Sequence, residues 1–308
     1  MKSRFLLDSL ELVSATVKVP TVLDNANCIY CGVDVSKETR TKEHVVARRF
    51  VPKGTLDGGW NLIAYSCNPC NNAKARLENE ISAVSMQPDS YGKYAIDDEL
   101  LRAEATRKAM RSISSRTHRP ISDSGEELNV EYKHPSGLKV SVSFVSSAQV
   151  AAEGVYELCR QQMRAFFYLL TFDSQSRRGG FWRGVFIGVG HTRRCDWGNM
   201  RLNSFSEQVK DWEPRLLSTS SIADGYYKVA IRRHPNADCW SWAVEWNHSF
   251  RCVGFFGSED SCELVEKSLQ KNVAQLLVDE PQRKLAYRQD VPLNDAVDTL
   301  FSYRDLKT

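Results

Sequence analysis

Two Cys-x-x-Cys pairs, Cys28-Ile-Tyr-Cys31 and Cys67-Asn-Pro-Cys70, constrain the fold of this chain more than any other feature. Cysteines two residues apart wrap one edge of a tetrahedron, and zinc in a structural site takes four such ligands. The two pairs supply all four and leave no open position. Cys28, Cys31, Cys67 and Cys70 are therefore expected to hold a structural Zn2+. Buried free thiols and a redox pair are the competing readings, and a redox pair belongs beside a βαβ pattern that the neighbouring residues lack. Residues 32–66 make a longer gap than a compact zinc ribbon has, so something folded must fill it.

The gap reads as a hairpin. Residues 41–48 form a short strand carrying Glu43 and His44, Gly58-Gly59 marks a turn, and residues 60–65 form a second strand. After Cys70, residues 71–82 have helical composition, with Leu77, Ile81 and Val84 on one face. The order is hairpin then helix, clasped at the base by cysteines.

Taken in order, Glu43-His44, Trp60-Asn61-Leu62 and Cys70-Asn71-x-x-Lys74 resemble the HNH (His-Asn-His) endonucleases of the ββα-metal fold, in the subgroup with a zinc clasp. The resemblance covers residues 26–85. The chain departs from the pattern at Glu43, where aspartate is more frequent, at Ala47, where proline often stands, and at Ala75, where glycine is common. The resemblance implies His44 as general base, a role suited to an imidazole that titrates near working pH. It implies Glu43 and Asn71 as ligands of a catalytic Mg2+ or Mn2+, a cation that keeps waters and phosphate oxygens and needs few protein donors. Asn61 would hold the loop and orient His44, and Lys74 would reach a phosphate. The implied reaction is hydrolysis of phosphodiester bonds in DNA, in settings such as restriction or antiviral defence. A zinc-dependent nucleic-acid-binding or interaction module that does not cleave is the alternative.

Charge distribution agrees with a nucleic-acid partner. The net charge is +3, and the basic excess lies within residues 1–120. Arg48, Arg49, Lys74 and Arg76 are the expected contacts to double-stranded DNA, with Lys42 and Lys53 nearby. A composition of 26% charged and 42% hydrophobic residues argues against wholesale disorder. No apolar run suits a membrane span, so no membrane partner is expected. Residues 5–13 read as an amphipathic helix, and Asp8 and Glu11 within it argue against a signal peptide. Cysteines beyond the zinc set suit a reducing compartment, so a cytoplasmic location is expected.

The fold class expected is α+β in two parts. The nuclease domain spans 1–120 and ends with a helix over 96–119, N-capped by Asp97. Arg102, Arg107, Lys108, Arg111 and Arg116 on that helix either follow DNA or complement the helix dipole. Residues 120–125 break the chain. An α+β recognition or regulatory domain with an antiparallel sheet spans 121–308, and it would mediate a homodimer or receive an activating partner. Its elements are a hairpin (128–132 and 138–144), a buried helix (155–172), a strand (185–189), a meander (227–231, 240–246, 250–256) and a final helix (259–277). Trp240, Trp242 and Trp246 alternate at strand spacing, which suits a sheet core or a partner interface better than base stacking. His191, His234 and His248, scattered among Cys195, Cys239 and Cys252, lack the close pairing of a metal site.

Overall fold

The computed structural model describes residues 13–14, 19–89, 92–125, 127–133, 136–145, 148–218, 222–280 and 283–302. After β1 (Val13–Ser14) and β2 (Thr21–Val22), the chain enters the hairpin β3 (Arg40–His44) and β4 (Leu62–Cys67). Glu43 lies opposite Ala64 and His44 opposite Ile63 in this antiparallel pair. β2 joins the far side of β4 in parallel, giving the order β2-β4-β3. The helix expected at 5–13 lies outside the described residues apart from Val13, which belongs to β1 and pairs with Leu216.

Helix α1 (Asn68–Ser85) begins earlier than the sequence pattern indicates. Cys67 is its extended N-cap, and Pro69 lies in the first turn, where a missing N–H removes no helical bond. Helix α2 (Glu99–Arg111) is shorter than expected. Its cap is Asp98, whose Oδ1 accepts the Leu101 N–H at 3.1 Å, so the cap stands one residue beyond Asp97. The helix stops where Ser112 turns extended and Ile113 pairs with Pro120 across a tight turn.

The remaining elements are the hairpin β5 (Glu127–Lys133) and β6 (Lys139–Val145), α3 (Ala152–Leu170), β7 (Val185–Arg193), α4 (Met200–Val209) and β8 (Glu213–Ser218). The meander follows as β9 (Tyr227–Arg233), β10 (Cys239–Trp246) and β11 (Phe250–Gly257), then α5 (Glu259–Ser268). The last hairpin is β12 (Gln275–Glu280) and β13 (Arg283–Tyr287). The final helix therefore ends at Ser268, because Leu269 turns extended and buries its side chain, and residues expected to continue it form strand β12. Strands β8-β9-β10-β11-β7 make a five-stranded antiparallel sheet, with β1 added in parallel at one edge. The fold is mixed α+β.

Every residue of β10 is buried, so both faces of the sheet are covered. Trp240, Trp242, Val244 and Trp246 pack in one core with Phe166 and Phe167 of α3. Cys239 and Ala243 face a second core that includes Phe205 of α4 and Cys262 of α5. Gly188 allows α3 to lie close against β7, since a Cβ there would stand 2.2 Å from the Tyr156 ring. The three indoles are thus core residues, with Trp246 edge-on to Phe50 at 5.3 Å.

The first core runs across position 120. Leu23, Val45, Phe50 and Trp60 pack in it with Phe166, Tyr227 and Trp246. Polar ties cross the same line. The Arg193 guanidinium donates to the carbonyls of Gln87 (2.9 Å) and Pro88 (3.3 Å) beyond the end of α1. Asn247 donates to the Phe50 carbonyl (3.3 Å) and to Ser85 Oγ (3.1 Å). The break at Pro120 is a surface turn within a shared core. Among the described residues, no helix is long and apolar enough to cross a membrane.

Candidate functional site

The four Sγ atoms of Cys28, Cys31, Cys67 and Cys70 lie within 4.8 Å of one another. A tetrahedron with Zn–S bonds of about 2.3 Å puts its sulfurs about 3.8 Å apart. Cys31 and Cys67 sulfurs are 3.8 Å apart, so the donor set fits zinc. The first pair sits in a knuckle closed by the Gly32 N–H donating to the Cys28 carbonyl at 2.9 Å. Gly32 has φ +78°, a conformation glycine adopts without steric cost. Burial pushes the Cys28 thiol up to about 11, opposed by backbone N–H groups of Cys67, Cys31 and Tyr30 directed at its sulfur. Cys67 is the N-cap of α1, and the Cys70 N–H there lowers the Cys67 thiol against the effect of burial, while burial raises the thiol of Cys70. Helix α3 braces the knuckle: Tyr168 donates to Asn27 Oδ1 at 2.5 Å, and Arg164 to the Tyr30 carbonyl at 3.3 Å.

His44 ends β3. Its carbonyl accepts from Lys74 Nζ of α1 at 3.4 Å, which ties the strand end to the helix. The ring is half-buried and makes no hydrogen bond or ion pair among the described residues. Burial lowers its pKa, with Arg48 and Lys42 adding to the effect and Glu43 opposing it. A neutral imidazole with an uncommitted lone pair results, in a positively charged surrounding.

Asn61 fixes the loop that leaves His44. Its Oδ1 accepts the Val46 N–H at 3.2 Å and its Nδ2 donates to the Val46 carbonyl at 2.8 Å. Val46 is fully buried, so Asn61→Ala strands both of its peptide groups away from water. We expect a loss of about 2–4 kcal/mol in urea unfolding, from two unsatisfied buried groups. A loss under about 1 kcal/mol would mean that water reaches Val46.

Glu43 and Lys74 meet in a buried cluster. Lys74 Nζ lies 2.8 Å from Glu43 Oε1 and 2.5 Å from Glu78 Oε1, and Tyr30 donates to Glu43 Oε1 at 2.9 Å. Lys74 is 1% exposed, Glu78 3% and Glu43 4%. This corrects the expectation that Lys74 contacts phosphate. The lysine points inward from α1 and its ammonium is committed to two carboxylates. Glu43 Oε2 makes no hydrogen bond among the described residues, and neither does the half-buried side chain of Asn71 one turn before Lys74. A carboxylate oxygen and an amide oxygen are both hard donors, the kind that Mg2+ and Mn2+ take.

Arg48, Arg49 and Arg76 are exposed, as surface contacts require. Sequence reasoning missed Tyr30 and Glu78. The only signal was the i,i+4 spacing of Lys74 and Glu78, which on most helices marks a solvated pair. His191, His234 and His248 do not gather into a second metal site. Among the described residues, the four cysteines are the one group of three or more His, Cys, Asp or Glu side chains close enough to share an ion. Comparison with known proteins adds no relative: no family model, no curated protein and no solved structure matches the chain.

Proposed function

We propose that the chain is a metal-dependent endonuclease of the HNH type that hydrolyses phosphodiester bonds in double-stranded DNA. The observation that carries this reading is the uncommitted His44 imidazole, held at the end of a cysteine-clasped hairpin, tied to the following helix and flanked by cations. His44 takes the proton from the attacking water. Arg48 and Lys42 hold the phosphate's charge beside it, and Asn61 keeps the strand end from shifting. Glu43 Oε2 and Asn71 would hold Mg2+ or Mn2+. When bound, that cation supplies charge stabilisation to the phosphorane and to the leaving 3′ oxygen. The products are a 5′ phosphate and a 3′ hydroxyl. Restriction or antiviral defence in the cytoplasm suits such an activity, and a homodimer would allow both strands to be cut.

The test is conversion of supercoiled plasmid in Mg2+ or Mn2+, with and without added metal. His44→Ala should slow nicking by about 10²–10⁴-fold, the usual worth of a general base, while zinc content stays unchanged. The base must be neutral, so the rate should rise with pH and level off below the ordinary histidine value of about 6.5. Full activity in His44→Ala would overturn the assignment. A second reading, a zinc-dependent module that binds nucleic acid without cutting, is favoured by the ammonium that already neutralises Glu43. Zinc-loaded protein that binds DNA but leaves plasmid intact in both metals would select it.

A further inference from the structure

We infer that the exposed side of α2, with the turn that follows it, forms a second basic surface that carries the backbone of duplex DNA away from His44. The inference takes its choice of DNA from the nuclease reading, while its charge pattern stands independently. Residues 44–56 and residues 105–122 each carry basic side chains and no Asp or Glu. Residues 44–56 contain Arg48, Arg49 and Lys53, and residues 105–122 contain Arg107, Lys108, Arg111, Arg116 and Arg119. The fold lays the two side by side. Lys108 is buried between them, and its Nζ donates to the Arg49 carbonyl and, at 2.9 Å, to Ser82 Oγ of α1. The ammonium thus acts as a tether, and the remaining cations face outward.

Arg48, Arg49, Arg111 and Arg119 are exposed and form no ion pair among the described residues. Arg107 is held in an ion pair by Glu104. The turn displaying Arg119 is rigid. Ile113 pairs with Pro120, the Ser114 N–H donates to the Arg119 carbonyl at 2.9 Å, and the His118 N–H donates to the Ser114 carbonyl at 2.9 Å. Glu80 of α1 accepts from the Ser115 N–H (2.7 Å) and Oγ (2.9 Å), so the turn is anchored to the helix that bears Asn71.

Complementing the dipole of α2 accounts for Lys108 and Arg111 alone. That effect fades within the last turn of a helix. It does not reach Arg119, past the helix end, or Arg48 and Arg49 on a separate segment. Unpaired cations held on a rigid frame match a regular row of phosphates, which they bind by releasing condensed counterions.

The test uses His44→Ala protein, so that cleavage does not interfere, with a fluorescent duplex of about 20 base pairs titrated between about 50 and 200 mM salt. Adding Arg111→Ala and Arg119→Ala should lower the slope of log affinity against log salt by about 1.8, or 0.9 for each lost phosphate contact. Both side chains are on the surface, and an unchanged zinc content and melting temperature confirm folding. An unchanged slope would overturn the surface. Tighter binding of polyglutamate or of single-stranded RNA of the same length would overturn the choice of partner. If plasmid is never cut yet the slope falls as stated, the nuclease reading fails and the surface stands. If plasmid is cut and the slope does not move, the surface alone fails.

Discussion

Cys28→Ser should strip the zinc from the chain and unfold the segment around it. Cys28 is fully buried, beneath a knuckle whose Ile29 and Tyr30 are themselves core residues. The knuckle is a tight turn without a helix or long strand of its own, and its partner cysteines come from the start of α1. Structural zinc in small peptides contributes an apparent 10–16 kcal/mol or so at neutral pH. That exceeds or equals the whole stability of most domains, about 5–15 kcal/mol. Loss of one of four thiolates removes much of it. The unfolding should be uneven. Amide protection should fall most across residues 26–85, which the clasp organises, and least in β9, β10 and β11, whose second face is closed by α4 and α5 without that segment. Metal analysis and hydrogen exchange measure the two halves of this expectation. A serine variant that keeps one zinc per chain would refute the clasp. Zinc binding must also displace thiol protons, and burial holds the Cys28 thiol high, at about 11. Zinc affinity should therefore fall as pH is lowered.

The clasp was legible because its chemistry is local: two cysteines per pair, at a spacing that fits few other purposes. The meander was legible for a similar reason, since β9, β10 and β11 are apolar runs bounded by turn residues. Tertiary cover was not legible. Lys74 and Glu78 sit four residues apart whether a helix faces water or protein. What decides is that Glu43 on β3 and Tyr30 in the knuckle close over them. The turn at Pro120 reads correctly as a break in regular structure, but a turn signal does not report whether the core continues past it, and here it does. Likewise β7 pairs with β11 across a long stretch of intervening chain, a long-range match that no local pattern encodes.

Lys74→Met should cost about 3–5 kcal/mol, the usual penalty for leaving a buried charge without its partner. Lys74 shares its one positive charge between two carboxylates that are each at most 4% exposed. Methionine fills the same space and leaves Glu43 and Glu78 facing each other in a dry environment. The loss should depend on pH with a definite sign. Burial already raises the pKa of Glu78, and Lys74 is the strongest influence pulling it back down. Without the lysine the value climbs further. A carboxyl raised in the folded state stabilises fully below its unfolded value, and that contribution disappears as pH rises through the folded value. The deficit of Lys74→Met relative to wild type should therefore be larger at pH 8 than at pH 6, read from paired urea titrations at each pH. Glu78→Gln separates charge from packing. It leaves one ammonium against one carboxylate and keeps a polar group beside Ala47, whose backbone bonds Glu78. That change should cost well under half of the lysine loss and show little dependence on pH. Equal losses in the two variants, flat with pH, would show that the cluster acts through shape alone and not through charge.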